Sequence, residues 1–194
     1  MLNTVTSQFK AGDIVLVSLS SKIGKWIEYF MKKARKKRGL PVPKGRVASH
    51  AGILVTMWGE LCIAQVWTDG IAITPFNSTY TLKSKLIKIL SPKKAYSIEE
   101  QDKISKAVMQ SFSEKKKYDF FGFWYQLRYV ISGGKKWDGP RGERATHRIY
   151  CTEAVAMWAN KVRPRTFDME YAANPLDVEM NKYYKIVYDG SEIE

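Results

Sequence analysis

The pattern of apolar and polar residues predicts strands and helices in separate runs along the chain. A β-branched run from Gly12 to Ser18 predicts a strand opening at Asp13. Apolar residues then recur at helical spacing, which predicts a helix ending in the basic run Lys32 to Arg38, before Gly39. One face of this helix should pack into the core: Ile23, Trp26, Ile27, Phe30 and Met31.

The segment from Ser49 to Phe76 changes to a strand pattern. Three runs, HAGILVTMW, LCIAQVW and IAITPF, are separated by turns at Gly59-Glu60 and Asp69-Gly70. This spacing predicts an antiparallel meander. A further strand is predicted at Leu86 to Leu90.

Helical signals dominate the second half of the chain. Ser97 to Glu100 matches a capping box and predicts a helix from about Ile98 to Glu114, with an apolar stripe at Ile104, Ala107, Val108 and Phe112. Cys151 to Val162 has the small and apolar spacing of a core helix, with Ala154, Val155, Trp158 and Ala159 facing inward. The segment Asn174-Pro175-Leu176-Asp177 predicts a short helix, and YYKIVY a last strand.

An aromatic stretch from Tyr118 to Val130 precedes a polar loop from Ser132 to Thr146, which is a candidate lid or substrate-facing surface. With 194 residues and 45% apolar content, the chain can form one packed core. The prediction is a single domain, residues 1–194, of α+β class. Its antiparallel sheet of about five to six strands should pack against helices.

The net charge indicates the class of binding partner but says little about the type of reaction. A net charge of +13 favours anionic partners such as nucleic acid, acidic lipid or an acidic polymer. The basic run Lys32 to Arg38 fits such a patch, and it fits a solvated helix end equally well. No run is apolar enough for a signal peptide or a membrane span, so the protein is expected to be soluble and cytoplasmic by default.

Two cysteines and two histidines lack the spacing of a zinc site, so neither a metal nor a cofactor is predicted. Cys151 lies at a predicted helix start, where free backbone amides should lower the pKa of a thiol and receive an oxyanion. Cys62 lies mid-strand and is interpreted as a small core residue. Cys151 is therefore the candidate nucleophile.

His50 opens a predicted strand after a polar loop, a rim position where a base is reachable. Gln65, on the next strand, has an amide that can orient the imidazole. Each residue alone has an ordinary structural interpretation. His147 is a second possible base, four residues before Cys151, although its basic surroundings favour a solvated role, and Glu153 is best explained as stabilising the helix start.

Taken in order, the motifs resemble the circularly permuted papain-like amidases of the NlpC superfamily, the branch that includes the YiiX and YebB proteins. In the first half of the chain the motifs are Gly12-Asp13-Ile14, then Ser49 to Ile53, then a polar residue on the second strand that is followed by a turn and by Ile73 to Phe76. In the second half they are Tyr118-Asp119, Tyr150 to Glu153, and Asn174 to Asp177. The resemblance spans Gly12 to about Asp177.

The resemblance implies a papain-like fold in which the histidine precedes the cysteine. It implies Cys151 as nucleophile, His50 as base and Gln65 as the orienting residue, although many relatives have an acid at the last position. The implied activity is hydrolysis or transfer at an amide, ester or thioester. Cell-wall peptides and acylated lipids are the implied substrates.

Two other functions compete with a thiol hydrolase. The first is a basic binding protein of the same fold, which would hold an anionic polymer or a membrane surface. The second is a lipid acyltransferase that uses the same site with another acceptor. If the substrate is cell wall, delivery by lysis, by a secretion machine or in a phage particle is implied.

Overall fold

The computed structural model describes residues 8–76, 84–132, 148–168 and 174–190. The strands are β1 (Ile14–Leu19), β2 (His50–Met57), β3 (Glu60–Trp67), β4 (Gly70–Pro75), β5 (Ser84–Pro92), β6 (Lys117–Tyr118), β7 (Arg148–Ile149) and β8 (Tyr184–Asp189). The helices are α1 (Lys22–Lys37), α2 (Ile98–Ser113), α3 (Phe120–Ile131), α4 (Cys151–Val162) and α5 (Pro175–Glu179).

Six strands form one antiparallel sheet in the order β4-β3-β2-β1-β5-β8. The predicted meander is confirmed, since β2 pairs with β3 and β3 with β4 through short hairpins. Gly52 lies opposite Gln65 in this register. A methyl group at Gly52 would come within 2.8 Å of the Ile63 side chain, so the close strand contact requires glycine there.

The main core lies between the sheet and helices α2 and α4. It joins strand residues such as Ile53 to Ile104 of α2 and Trp158 of α4, all fully buried. The indole Nε1–H of Trp158 donates to Ser111 Oγ at 3.0 Å and links the two helices. Strands and helices are therefore packed as an α+β fold, as the sequence pattern predicts.

Helix limits agree well with the predictions. Ser97 caps α2, and the backbone amide and side chain of Glu100 complete the capping box. Helix α5 begins after Asn174, whose Oδ1 accepts from the N–H groups of Leu176 and Asp177 at 3.0 Å each. Short-range cap signals thus locate both helix starts correctly.

Two expected apolar faces are wrong in part. On α1, Met31 is buried, whereas Ile23 and Trp26 are 59% and 62% exposed. On α2, Phe112 is 48% exposed and Ser111 takes a buried position instead. Helical spacing identifies which residues share a face, but the neighbouring elements decide how much of that face is covered.

The aromatic stretch after Tyr118 forms helix α3, which the sequence pattern did not indicate because nearly all of its positions are apolar or aromatic. The predicted lid loop after Ser132, and His147 with it, lie outside the described residues. None of the helices in the described ranges combines the length and the apolar content that crossing a bilayer requires.

Candidate active site

Cys151 is the first residue of α4, and its side chain is buried. Tyr150 precedes the helix in extended conformation, and its backbone N–H donates to Glu153 Oε2 at 3.3 Å. Glu153 thus stabilises the start of α4, as expected. The next turn is packed into the core by Ala154 and Val155, so the position of Cys151 is set by a rigid helix.

The predicted lowering of the Cys151 pKa is wrong. Burial raises the pKa of the thiol above its ordinary value. Backbone N–H groups of Ala51, Cys151 and Thr152, together with the Thr152 side chain, hydrogen-bond the sulfur and offset only part of this effect. The helix start therefore supplies the donors that the sequence predicts, but removal of the thiol from water outweighs them.

His50 is the first residue of β2, one residue before the Ala51 amide that contacts the Cys151 sulfur. Its Nε2 lies 3.2 Å from Gln65 Oε1. An amide oxygen only accepts, so this contact places the ring proton on Nε2 and leaves a lone pair on Nδ1. Gln65 is 2% exposed. The contact between Gln65 and His50 that the sequence predicts is present in the structure.

His50 is the first residue of β2, as predicted, and it lines a cavity, but it is 4% exposed and does not reach the protein surface. The indole of Trp67 stacks on the imidazole with ring centroids 4.3 Å apart and an interplanar angle of 13°. Burial lowers the pKa of His50 to about 4, against a smaller opposing effect of Gln65. The imidazole is therefore neutral at physiological pH.

One cavity of about 220 Å³ is lined by both Cys151 and His50. Its wall is mainly apolar and aromatic, with contributions from β3, α1 and α3. Tyr118 and Tyr150 also face it, and burial raises the pKa of both phenols, so both remain protonated. The two predicted reactive residues, 101 positions apart in the sequence, thus line the same cavity.

The hydrogen bonds of the two reactive groups lead to different partners. The imidazole contacts Gln65, and the thiol contacts backbone amides. A neutral thiol and a neutral imidazole in one cavity could act through general-base activation of the thiol, in contrast to a preformed ion pair. The amides at the start of α4 are placed to receive negative charge on a substrate oxygen.

Sequence reasoning missed two residues of this site. Trp67 shares a strand face with Gln65, and its stacking on His50 follows from the cross-strand register. Asn174 was identified only as a helix cap, yet it is fully buried and also lines the cavity. Trp67 could have been identified because it lies two positions after Gln65 and so shares its strand face. For Asn174, the sequence indicated only a helix N-cap.

The fold is similar to that of solved structures, among them one from Escherichia coli. The crystal structure of metalloprotein YiiX from Escherichia coli O157:H7, DUF1105, superposes with a TM-score of 0.60 at 16% identity, covering 94% of this chain and 98% of that chain. At this identity the similarity establishes a shared α+β fold. No family model and no curated protein matches the sequence.

Proposed function

We propose that the protein is a thiol-dependent hydrolase in which Cys151 attacks the carbonyl carbon of an amide, ester or thioester and His50 is the base. The observation that carries this proposal is the shared cavity: a cysteine at a helix start and a histidine on an adjacent strand line one largely apolar cavity. The amide of Gln65 orients the imidazole.

The proposed reaction has two balanced steps. His50 Nδ1 takes the thiol proton as the sulfur bonds to the carbonyl carbon, and the imidazolium returns that proton to the leaving group as its bond breaks. Water then attacks the acyl-thioester, His50 takes the water proton, and Cys151 recovers it as the acid product leaves.

The order His50 before Cys151 supports a permuted papain-like arrangement as part of the same proposal. In such a site the nucleophile begins a helix, and the base and its orienting residue lie on neighbouring strands. Helix α4 and the β2–β3 pair hold these three residues. Glutamine in the orienting position gives a neutral partner to a neutral histidine, which agrees with the lowered pKa of His50.

YiiX is described as a metalloprotein, which raises the question of a metal in this chain. Across residues 8–76, 84–132, 148–168 and 174–190, no three His, Cys, Asp or Glu side chains come together as possible ligands. Cys151 and His50 alone are too few for a closed zinc site. The described residues do not fit a resident metal, and the proposed reaction uses none.

Alkylation of Cys151 by iodoacetamide tests the proposed pair directly. The buried thiol should react slowly at neutral pH and faster as pH rises, because its pKa lies above the ordinary value. Hydrolysis of p-nitrophenyl esters should be lost in Cys151→Ala and should fall at least about 100-fold in His50→Ala, the usual contribution of a general base.

Cys62→Ala is the matched control, because Cys62 is also a free, buried cysteine but lies in the main core. This variant should hydrolyse the ester at the wild-type rate per folded molecule. Equal activity in wild type and Cys151→Ala would refute the proposal. So would an alkylation rate of Cys151 no greater than that of Cys62 across the pH range.

A further inference from the structure

A second cavity lies at the opposite end of α4 from the candidate active site. Its volume is about 220 Å³, and it is lined by segments that follow β5, follow α4 and precede β8. Cys151 begins α4, whereas Arg163, directly after the last residue of this helix, lines the second cavity. Helix α4 has 12 residues, so at about 1.5 Å per residue its two ends are about 18 Å apart. The second cavity is therefore separate from the site proposed for catalysis.

Basic side chains converge on this second cavity, which we call the basic pocket. Four of its described lining residues are basic and none is acidic; the basic ones are Lys93, Lys94, Arg163 and Lys182. They come from three segments that are distant in sequence, so only the fold brings them together. A concave site that gathers charges of one sign attracts ligands of the opposite sign.

Arg163 already has a carboxylate partner. Its Nε and Nη2 donate to the two carboxylate oxygens of Glu100, at 2.7 Å and 2.6 Å. Its Nη1 donates to the carbonyl oxygen of Lys94 at 2.6 Å, and Nη2 also donates to that of Ala95 at 3.0 Å. This bidentate pair and the two carbonyl contacts hold the segment after β5 against the end of α4. One wall of the basic pocket is thereby fixed.

The three lysines of the basic pocket are all exposed: Lys93, Lys94 and Lys182. None of them forms an ion pair with any residue that the structure describes. The Nζ of Lys182 lies 5.1 Å from the centroid of the Tyr183 ring at the same pocket. Since Glu100 balances Arg163, three positive charges remain at the pocket for a ligand.

Two buried tyrosines, Tyr96 and Tyr184, form another wall of the basic pocket. Their hydroxyl oxygens lie 2.9 Å apart, so one hydroxyl donates to the other. The guanidinium carbon of Arg163 lies 4.3 Å from the centroid of the Tyr96 ring. Burial raises the pKa of both phenols, so both keep their protons at neutral pH.

The hydroxyl pair leaves one proton without an acceptor. Two phenols have two protons, and only one of these is used in the contact between Tyr96 and Tyr184. No second hydrogen bond of either hydroxyl is found within the described parts of the chain. The carboxylate of Asp13 acts on both phenols through its charge, but it is bonded to the Lys10 N–H and does not line the pocket. A buried donor calls for an acceptor, and a ligand oxygen in the basic pocket would supply one.

We propose that the basic pocket binds a phosphate dianion, either free or as the monoester of a small molecule. Lys93, Lys94 and Lys182 neutralise the phosphate, and the remaining hydroxyl proton of the tyrosine pair donates to one of its oxygens. A monoester has about two negative charges at neutral pH, which suits three ammonium groups better than the single charge of a diester. The volume of about 220 Å³ is below the range of about 300–1,000 Å³ for drug-sized ligands, so the pocket holds a phosphate and a short attached group.

The continuous basic run Lys32 to Arg38 is less suited to an anion than the basic pocket. Arg35 pairs with Glu179, and Arg38 Nη1 lies 2.7 Å from Asp177 Oδ1. Two cations of that run are therefore used to attach α1 to α5. The basic pocket was not indicated by the sequence, because its lysines lie in three short segments. It also does not depend on the proposed hydrolase function.

Isothermal titration calorimetry of the full chain tests the basic pocket. Glycerol 3-phosphate and inorganic phosphate should bind, dimethyl phosphate should bind at least about tenfold more weakly because of its single charge, and glycerol should not bind. Tighter binding of glycerol 3-phosphate than of inorganic phosphate identifies the monoester as the ligand, and equal binding identifies free phosphate. The Cys151→Ala variant should bind as the wild type does, since Cys151 lies at the other end of α4.

Replacing two lysines tests the contacts. The Lys93→Gln, Lys182→Gln double variant should bind glycerol 3-phosphate about tenfold more weakly or worse, because two ammonium groups are lost. The Lys25→Gln, Lys103→Gln double variant is the matched control, since these exposed lysines of α1 and α2 lie outside the pocket and their loss changes the net charge equally. Its affinity should equal that of the wild type. An equal loss in both double variants would overturn the proposal.

The hydroxyl pair is tested by the Tyr96→Phe, Tyr184→Phe double variant. Removing both partners of one hydrogen bond while keeping both rings should have little effect on folding. Binding of glycerol 3-phosphate should weaken about tenfold, since a donor to a charged oxygen is lost. Tyr183→Phe is the control, because Tyr183 also lines the pocket but is 46% exposed. Unchanged affinity in the double variant would refute the role of the tyrosines; should that variant not fold, the lysine variants decide.

Two further results would overturn the phosphate site. Cations are favourable at the C-terminal end of any helix, so the lysines are purely structural if the Lys93→Gln, Lys182→Gln variant has a lower urea midpoint and phosphate does not bind to the wild type. Binding of a DNA duplex without binding of either small phosphate would assign the lysines to nucleic acid. Absence of ester hydrolysis in a wild-type protein that binds phosphate would instead refute the hydrolase function alone and leave the basic pocket standing.

Discussion

Helices α1 and α4 have similar apolar spacing in the sequence, but their apolar residues differ in exposure to water in the structure. In α4, Ala154, Val155, Trp158 and Ala159 are fully buried against the sheet and α2. In α1, Ile23 and Trp26 remain exposed, and the inner positions border the cavity of the candidate active site. The comparison shows one helix fixed in the core, with Cys151 at its start, and another whose outer face remains exposed.

The difference arises from what covers each helix. Helix α4 packs directly on strands β2 and β3, so that its apolar face is removed from water. Helix α1 is held at its C-terminal half by Met31, Ala34 and the Arg35–Glu179 pair. Its N-terminal half is attached through Glu28, which contacts Ser18 of β1 and Arg46, while the exposed Ile23 and Trp26 leave an apolar surface uncovered.

The largest expected effect compares one tryptophan in each helix. Trp158→Ala should lower the free energy of unfolding by about 3–5 kcal/mol, because it opens a cavity in the core and removes the hydrogen bond to Ser111. Trp26→Ala should change it by less than about 0.5 kcal/mol, since the side chain is exposed. Urea denaturation of both variants measures the difference. Similar losses would remove the distinction between the helices.

The second effect is a pH dependence of the free energy of unfolding that arises from His50, in the cavity at the start of α4. His50 has a pKa of about 4 when folded and an ordinary value near 6.5 when unfolded, so its contribution is complete above pH 6.5 and is lost as pH falls toward 4. The loss at pH 4 should be about 3 kcal/mol. The free energy of unfolding is measured by urea denaturation at pH 7 and at pH 4. The His50→Gln variant should lose less of it between these pH values than the wild type does.

The dependence on ionic strength distinguishes the buried His50 from the exposed charges of α1. The His50 contribution comes from burial and should be unchanged between low and high ionic strength, whereas exposed charges are screened. A strong salt dependence of the His50 effect would show that the imidazole is not buried. If wild type and His50→Gln lost the same free energy of unfolding between pH 7 and pH 4, the lowered pKa of His50 would be contradicted.

The smallest effect concerns the orienting residue. Gln65→Leu removes the acceptor of the His50 Nε2–H and should lower the free energy of unfolding by about 1 kcal/mol. In ¹⁵N NMR spectra the imidazole should lose its preference for the Nε2–H tautomer. Gln110→Leu, on the exposed face of α2, is the control and should be nearly neutral. An unchanged tautomer would exclude Gln65 as the orienting group.

Much of the local structure could be predicted from the sequence. The cap signals located α2 and α5, and the turn residues located the meander. The sequence also proposed His50, Gln65 and Cys151 as one site, and the structure places His50 3.2 Å from Gln65 and in the same cavity as Cys151. These features depend on residues close in sequence, or on strands joined by short turns. Helix α3 was missed because its continuous apolar run shows no helical period.

The sequence by itself determined the meander, the starts of α2 and α5, and which residues are candidates for a reactive site. Only the tertiary structure decided which apolar faces are covered, that burial raises the pKa of Cys151 and lowers that of His50, and that Asn174 lines the same cavity. The reason is that exposure to water and the approach of distant residues depend on packing among elements far apart in the chain. Neither can be read from spacing within one element.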